Sequence, residues 1–122
     1  MKRLLLILVA FVILAWAPTT TTVTAAADWI TICQEDVGRF TTVGFKLHNT
    51  GSNPLTDCRI QTWVGPSATD DWLDYYTWTT CKTLAKDAMT IFEMSGNCQE
   101  KMRVQVKSTA GTTMYCRPYG VQ

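Results

Sequence analysis

Glu100-Lys101-Met102-Arg103-Val104-Gln105-Val106-Lys107-Ser108 alternates without a break: Met102, Val104 and Val106 fall on one side, Lys101, Arg103, Gln105 and Lys107 on the other. A period of two with one apolar side is a β-strand that lays one face on a core and the other in water. A lone strand has no partner for its backbone N–H and C=O groups, so this stretch requires neighbours of the same kind. Working outward, Thr109-Ala110-Gly111-Thr112 reads as a tight turn, and Thr113 to Arg117 as a returning hairpin partner stopped by Pro118. Ala88 to Met94 is a further apolar and β-branched run, closed by Ser95-Gly96-Asn97.

The same logic holds upstream. From Phe40 to Asn49, Val43, Phe45 and Leu47 alternate with Thr42, Gly44, Lys46 and His48; the turn formers Asn49-Thr50-Gly51-Ser52-Asn53-Pro54 follow. Thr56 to Val64 sets Cys58, Ile60, Thr62 and Val64 against Asp57, Arg59, Gln61 and Trp63, and Gly65-Pro66 ends it. Trp29 to Cys33 and Thr77 to Leu84 complete a set of about seven strands, with no amphipathic helix among them. The expectation is an all-β, immunoglobulin-like antiparallel β-sandwich, with a small closed barrel as the alternative.

The N-terminus has a different character. Lys2 and Arg3 precede the uncharged run Leu4 to Ala17, and a Thr-rich stretch leads to Ala25-Ala26-Ala27. A basic start, a short apolar segment and a small-residue exit describe a secretory signal peptide, helical in its apolar part. The expected division is residues 1–27 as signal and exit and residues 28–122 as the domain. Cleavage before Asp28 is favoured over cleavage after Ala15-Trp16-Ala17, which would leave Pro18 beyond the cut. Pro18 to Ala26 reads as a spacer without periodicity. The apolar run, about 14 residues, is shorter than the ~20 of a membrane span. No cysteine sits just after it, so lipid attachment is not expected.

Removing the signal lowers Lys+Arg from 11 to 9 against 10 Asp+Glu, a net charge of −1. With no basic surplus to neutralise phosphates, nucleic acid is not an expected partner. Secreted, extracellular or periplasmic residence is the expectation, without stable membrane insertion.

Phe45-Lys46-Leu47-His48-Asn49-Thr50-Gly51, followed by Pro54-Leu55-Thr56, resembles the passage between two strands in immunoglobulin-like domains of the fibronectin type III and CARDB (cell-adhesion-related) kind. Leu84-Ala85-Lys86-Asp87-Ala88 is similar to those domains' approach to a later strand, where a glycine usually stands in place of Asp87. Met102 to Val106 and the Ala110-Gly111 turn are similar to their last strands. The resemblance implies a sandwich fold and extracellular binding, and it carries over no catalytic residue.

All five cysteines, Cys33, Cys58, Cys81, Cys98 and Cys116, lie in the expected domain. Without a C-x-x-C pair and with one histidine, they do not describe a zinc site or a redox motif; no metal and no cofactor is expected. In an exported protein they are disulfide candidates. Two bridges and one thiol left over allow fifteen arrangements, among which Cys81 with Cys98 is preferred because they flank the Met89 to Met94 strand. The leftover thiol is either a link to a second copy, giving a covalent homodimer, or a buried small hydrophobe. Strand parity places Cys58 and Cys116 on apolar faces and Cys33 on the polar one, which makes Cys33 the candidate for an exposed link.

Asp70-Asp71-Trp72-Leu73-Asp74-Tyr75-Tyr76-Thr77-Trp78 packs aromatics and carboxylates into one connection. With Trp63 these supply the candidate binding residues: Trp63, Asp70, Asp71, Trp72, Asp74, Tyr75, Tyr76 and Trp78. Aromatic faces with polar rims suit sugars and proteins alike; the structural alternative is that Trp72, Tyr75 and Trp78 close an open end of the sandwich. The aspartates lack the spacing and turn glycine of a calcium loop. His48 sits at a turn with no nucleophile motif near it, so a catalytic site is not expected. The sequence thus reads as a small secreted, disulfide-stabilised, non-catalytic binding or structural module for an extracellular protein or glycan. The alternatives are a carbohydrate-binding module using Trp72 to Trp78 and a secreted hydrolase inhibitor.

Overall fold

The computed structural model describes residues 14–15, 17–25, 28–38, 40–63, 72–74, 83–95 and 101–121. Among them are nine strands: β1 (Leu14–Ala15), β2 (Thr19–Val23), β3 (Ile30–Asp36), β4 (Thr42–Asn49), β5 (Asp57–Trp63), β6 (Trp72–Asp74), β7 (Met89–Ser95), β8 (Lys101–Lys107) and β9 (Thr112–Val121). All pairings are antiparallel. Sheet A runs in the order β1-β9-β4-β7, with β2 also on β9, and sheet B in the order β3-β8-β5-β6.

The expected two-sheet sandwich is therefore the fold. Its connections swing between layers: β2, β4, β7 and β9 belong to sheet A, and β3, β5, β6 and β8 to sheet B. This alternation is that of a double-sheet jelly roll. It corrects one expectation, the hairpin between Lys101–Lys107 and Thr113–Arg117. Both edges of β8 are taken, by β3 and β5, so β9 has no edge of β8 to join. At the turn, Gly111 adopts φ 79° and donates its N–H to Ser108 O at 3.3 Å, and the chain crosses to the other sheet. Nor does Pro118 stop the strand. Opposite Phe45 on β4, it lies on its other side between the β2-paired residues 112–116 and the β1-paired residues 119–120, where no ladder bond is lost.

Two more readings change. Pro18 to Ala26 is not an unstructured spacer throughout: Thr19 to Val23 is a strand, with Val23 1% exposed in the core. Its threonines are β-branched and alternate between half-buried and exposed, a pattern that suits an edge strand once β9 offers a partner. Of the strand expected at Thr77 to Leu84, residues 77–82 lie outside the described residues. Leu84 itself is in no strand, and its carbonyl accepts from Leu55 N at 3.0 Å.

The core fills as the alternation requires. Val43, Phe45, Leu47, Met114 and Cys116 of sheet A face Cys58, Ile60, Met102, Val104 and Val106 of sheet B, all buried. Val37, Phe40, Leu55 and Leu84 close the ends. Polar side chains are buried here too, Asn49 and Ser108 completely. Asn49, 0% exposed, donates through Nδ2 to Asn53 O (2.8 Å) and Leu84 O (3.0 Å), and its Oδ1 accepts from Gly51 N (3.2 Å) and Thr112 Oγ1 (2.7 Å). Every hydrogen-bonding site of its amide is used, which permits burial. The turn read from Asn49 to Pro54 is thereby tied to the start of β9 and to the approach to β7. On that approach Asp87 holds φ 61°, a left-handed conformation that glycine adopts most easily.

Candidate functional site

The outer face of sheet B gathers what the sequence scatters. β5 and β8 pair so that Arg59 stands opposite Gln105 and Gln61 opposite Arg103. β6 adds Trp72 opposite Trp63 and Asp74 opposite Gln61, and β3 adds Thr31 opposite Gln105. These are the polar parities of their strands, so all project to the side away from the core.

Cross-strand contacts lock them. Arg59 donates through Nε and Nη2 to Gln105 Oε1, at 2.9 and 2.6 Å, and Gln105 Nε2 donates to Thr31 Oγ1 at 2.9 Å. One rung further, Arg103 Nε donates to Gln61 Oε1 at 2.8 Å and Gln61 Nε2 to Asp74 Oδ1 at 3.0 Å. Around these rungs the cations lie on indole rings. Arg59 and Lys107 lie over Trp29 at 4.2 and 4.5 Å, Arg103 over Trp72 at 4.2 Å and Lys101 over Trp63 at 4.9 Å. Each such pair contributes about 0.5–1 kcal/mol at an exposed site and more when desolvated. The two glutamines are buried under this lattice, at 5% and 6% exposure, while the three tryptophans are half-buried.

Of the expected binding residues, Trp63, Trp72 and Asp74 meet on this face. Asp70, Asp71, Tyr75, Tyr76 and Trp78 lie outside the described residues. The sequence reading missed Trp29, Arg59, Lys101, Arg103 and Lys107 as site residues. The cations appear in a single strand as an ordinary solvent-facing parity, and only strand order and register bring tryptophans from β5, β6 and the start of β3 onto them.

The cysteines separate into two groups. Cys58 is disulfide-bonded, and Cys33 and Cys116 are buried free thiols. Cys81 and Cys98, and with them the preferred Cys81–Cys98 pairing, lie outside the described residues. The exposed link at Cys33 is corrected. A bulge between Thr31 and Cys33 shifts the register, so Ile32 and Cys33 are both buried, at 3% and 4% exposure. One extra residue in a strand reverses the side on which everything after it falls.

Elsewhere, His48 lies on the outer face of sheet A, opposite Met89 and Tyr115. Four residues along the same face, at Gly44, Tyr119 donates its hydroxyl to Glu93 Oε2 at 2.6 Å. The Tyr119 ring lies across Gly44, where a Cβ would collide with it. Burial, then the bond to Glu93, pushes the Tyr119 phenol up to about 12. An open recess of about 400 Å³ at the end of the sandwich is lined by Thr22 to Ala25, Gly51 to Asn53 and Gly111 to Thr113, with no ionisable side chain. Among the described residues no group of three His, Cys, Asp or Glu side chains is placed to hold a metal ion.

No family model matches the chain, and no curated protein matches it in sequence. The fold is similar to that in a crystal structure of PirA, with a TM-score of 0.58 at 16% identity, covering 84% of this chain and 92% of that one. Bacillus endospore appendages, which form disulfide-linked pili, give a TM-score of 0.46 at 14% identity, over 90% of this chain and 89% of theirs. The PirA likeness shows the antiparallel sandwich, and the second is too distant to bear on the argument.

Proposed function

We propose that the protein is a secreted, non-catalytic recognition module that binds a partner protein through the outer face of sheet B. The observation that carries this reading is the lattice itself: three tryptophans and four cations, interleaved and held by cross-strand bonds. Tryptophan and arginine dominate the binding energy of protein interfaces. Side chains already fixed by neighbours lose little further entropy when a partner docks. A flat sheet face suits an extended partner surface better than a small molecule, which favours a concave site. The indole faces a sugar would stack on are shared with cations, which favours protein over neutral glycan. Export is supported by the Lys2-Arg3 and Leu4-to-Ala17 pattern and by the Cys58 disulfide, a bond that persists in oxidising compartments.

A displayed-peptide library selected on the immobilised protein tests this. Selected peptides are expected to lose at least tenfold in affinity for the Trp72→Ala/Arg103→Ala double variant and to keep it for Lys46→Ala on sheet A. Equal binding to both variants would overturn the reading. So would a failure to select any peptide, combined with a tryptophan fluorescence response to glycans.

A further inference from the structure

Cys33 and Cys116 belong to different sheets, and both are buried. The geometry around them brings the two points together. Cys116 pairs with Thr19 across β2 and β9, and Thr19 Oγ1 donates at 2.7 Å to the carbonyl of Ile32, the residue before Cys33. β3 and β9 approach within 8 Å between Cα atoms although they lie in opposite layers. Stacked sheets are ordinarily about 10 Å apart and a disulfide needs Cα atoms about 4.4–6.8 Å apart, so the closer approach of β3 to β9 makes this corner the candidate place for a bridge. The β3 bulge matters here, because without it Cys33 would face away from Cys116.

We propose that Cys33 and Cys116 are the two halves of an inter-sheet disulfide, closed by thiol–disulfide exchange with a small-molecule disulfide such as oxidised glutathione. One thiolate attacks the glutathione disulfide, forming a mixed disulfide and releasing one glutathione thiolate. The second cysteine thiolate then attacks the protein sulfur of that mixed disulfide and releases the other. The cysteine pair loses two electrons, oxidised glutathione gains them, and the two cysteine protons leave with the two glutathione molecules. In the folded protein the neighbouring Cys33 thiol and burial hold the Cys116 thiol far above its ordinary range. Since the thiolate is the reactive form, closure belongs to folding, before β2 covers the pair, and is slow afterwards. The bridge would pin sheet A to sheet B beside the start of the β3 strand that carries part of the tryptophan–cation lattice.

The test is peptide mapping of the full chain without reduction, after refolding from the reduced, denatured state in a glutathione redox buffer. The expected result is a linked pair of peptides carrying Cys33 and Cys116, a mass lower by about 2 Da for that bridge, and two fewer thiols titrated in denaturant. Native reduced protein given the same buffer is expected to form the link at least tenfold more slowly. Cys116→Ser should leave Cys33 alkylatable; if that variant does not fold, the map of the parent chain decides alone. Recovery of Cys33 or Cys116 as free thiols, as glutathione adducts, or linked to Cys81 or Cys98 overturns the proposal.

Discussion

Asn49 shows how much one side chain can organise. Its amide bonds four separate backbone or hydroxyl groups from inside the core, so truncation strands several buried polar partners at once. Asn49→Ala is expected to cost roughly 3 kcal/mol, read as a lower urea midpoint, because unsatisfied buried groups cost about 1–3 kcal/mol each and local relaxation recovers part. Tyr119 gives a pH signature. Its folded-state pKa, about 12, lies above the unfolded value of 10.0, so its contribution is complete below pH 10 and is lost as the pH climbs from there toward 12. Thermal melts across that window should fall less steeply in Tyr119→Phe than in the parent chain. Residue types such as these were legible in part. The Asn49-Thr50-Gly51 turn was evident from turn chemistry, but the burial of Asn49 was not, since its partners lie up to 63 positions away.

At the level of elements, β4, β5 and β8 followed from alternation, because each buries one face and strand parity needs no knowledge of neighbours, and β7 followed from its apolar, β-branched run. Where the reading failed, the missing information was tertiary. The bulge in β3 reversed Cys33, and the occupied edges of β8 sent β9 to the other sheet. Thr19 to Val23 became a strand only because β9 presents an edge to it. That strand matters for processing. A chain starting at Asp28 loses the Val23 side chain, whose burial stabilises by roughly 1.5–3 kcal/mol, and leaves the β9 edge without β2. Compared with a chain starting at Pro18, it is expected to melt at lower temperature or to elute as an associated species on size exclusion, since an open edge recruits other strands. Identical melting and elution would show that β2 adds nothing to the fold.

Across the whole molecule the two sheets divide the work. Sheet A supplies the Asn49 knot and receives the N-terminal strand. Sheet B turns outward a tryptophan–cation lattice assembled from four segments far apart in the chain. Part of that site was within reach of the sequence, since Trp63, Trp72 and Asp74 stood out by composition. Trp29 and the cations of β5 and β8 did not, because register decides which side chains meet. Photo-cross-linking tests the central claim most directly: benzoylphenylalanine is placed at Trp63 on sheet B or at Lys46 on sheet A, and each protein is irradiated with extracellular material from the source cells. A discrete protein adduct from position 63, with none from position 46, is the predicted result. Adducts from position 46 alone, or the same adducts from both faces, would contradict it.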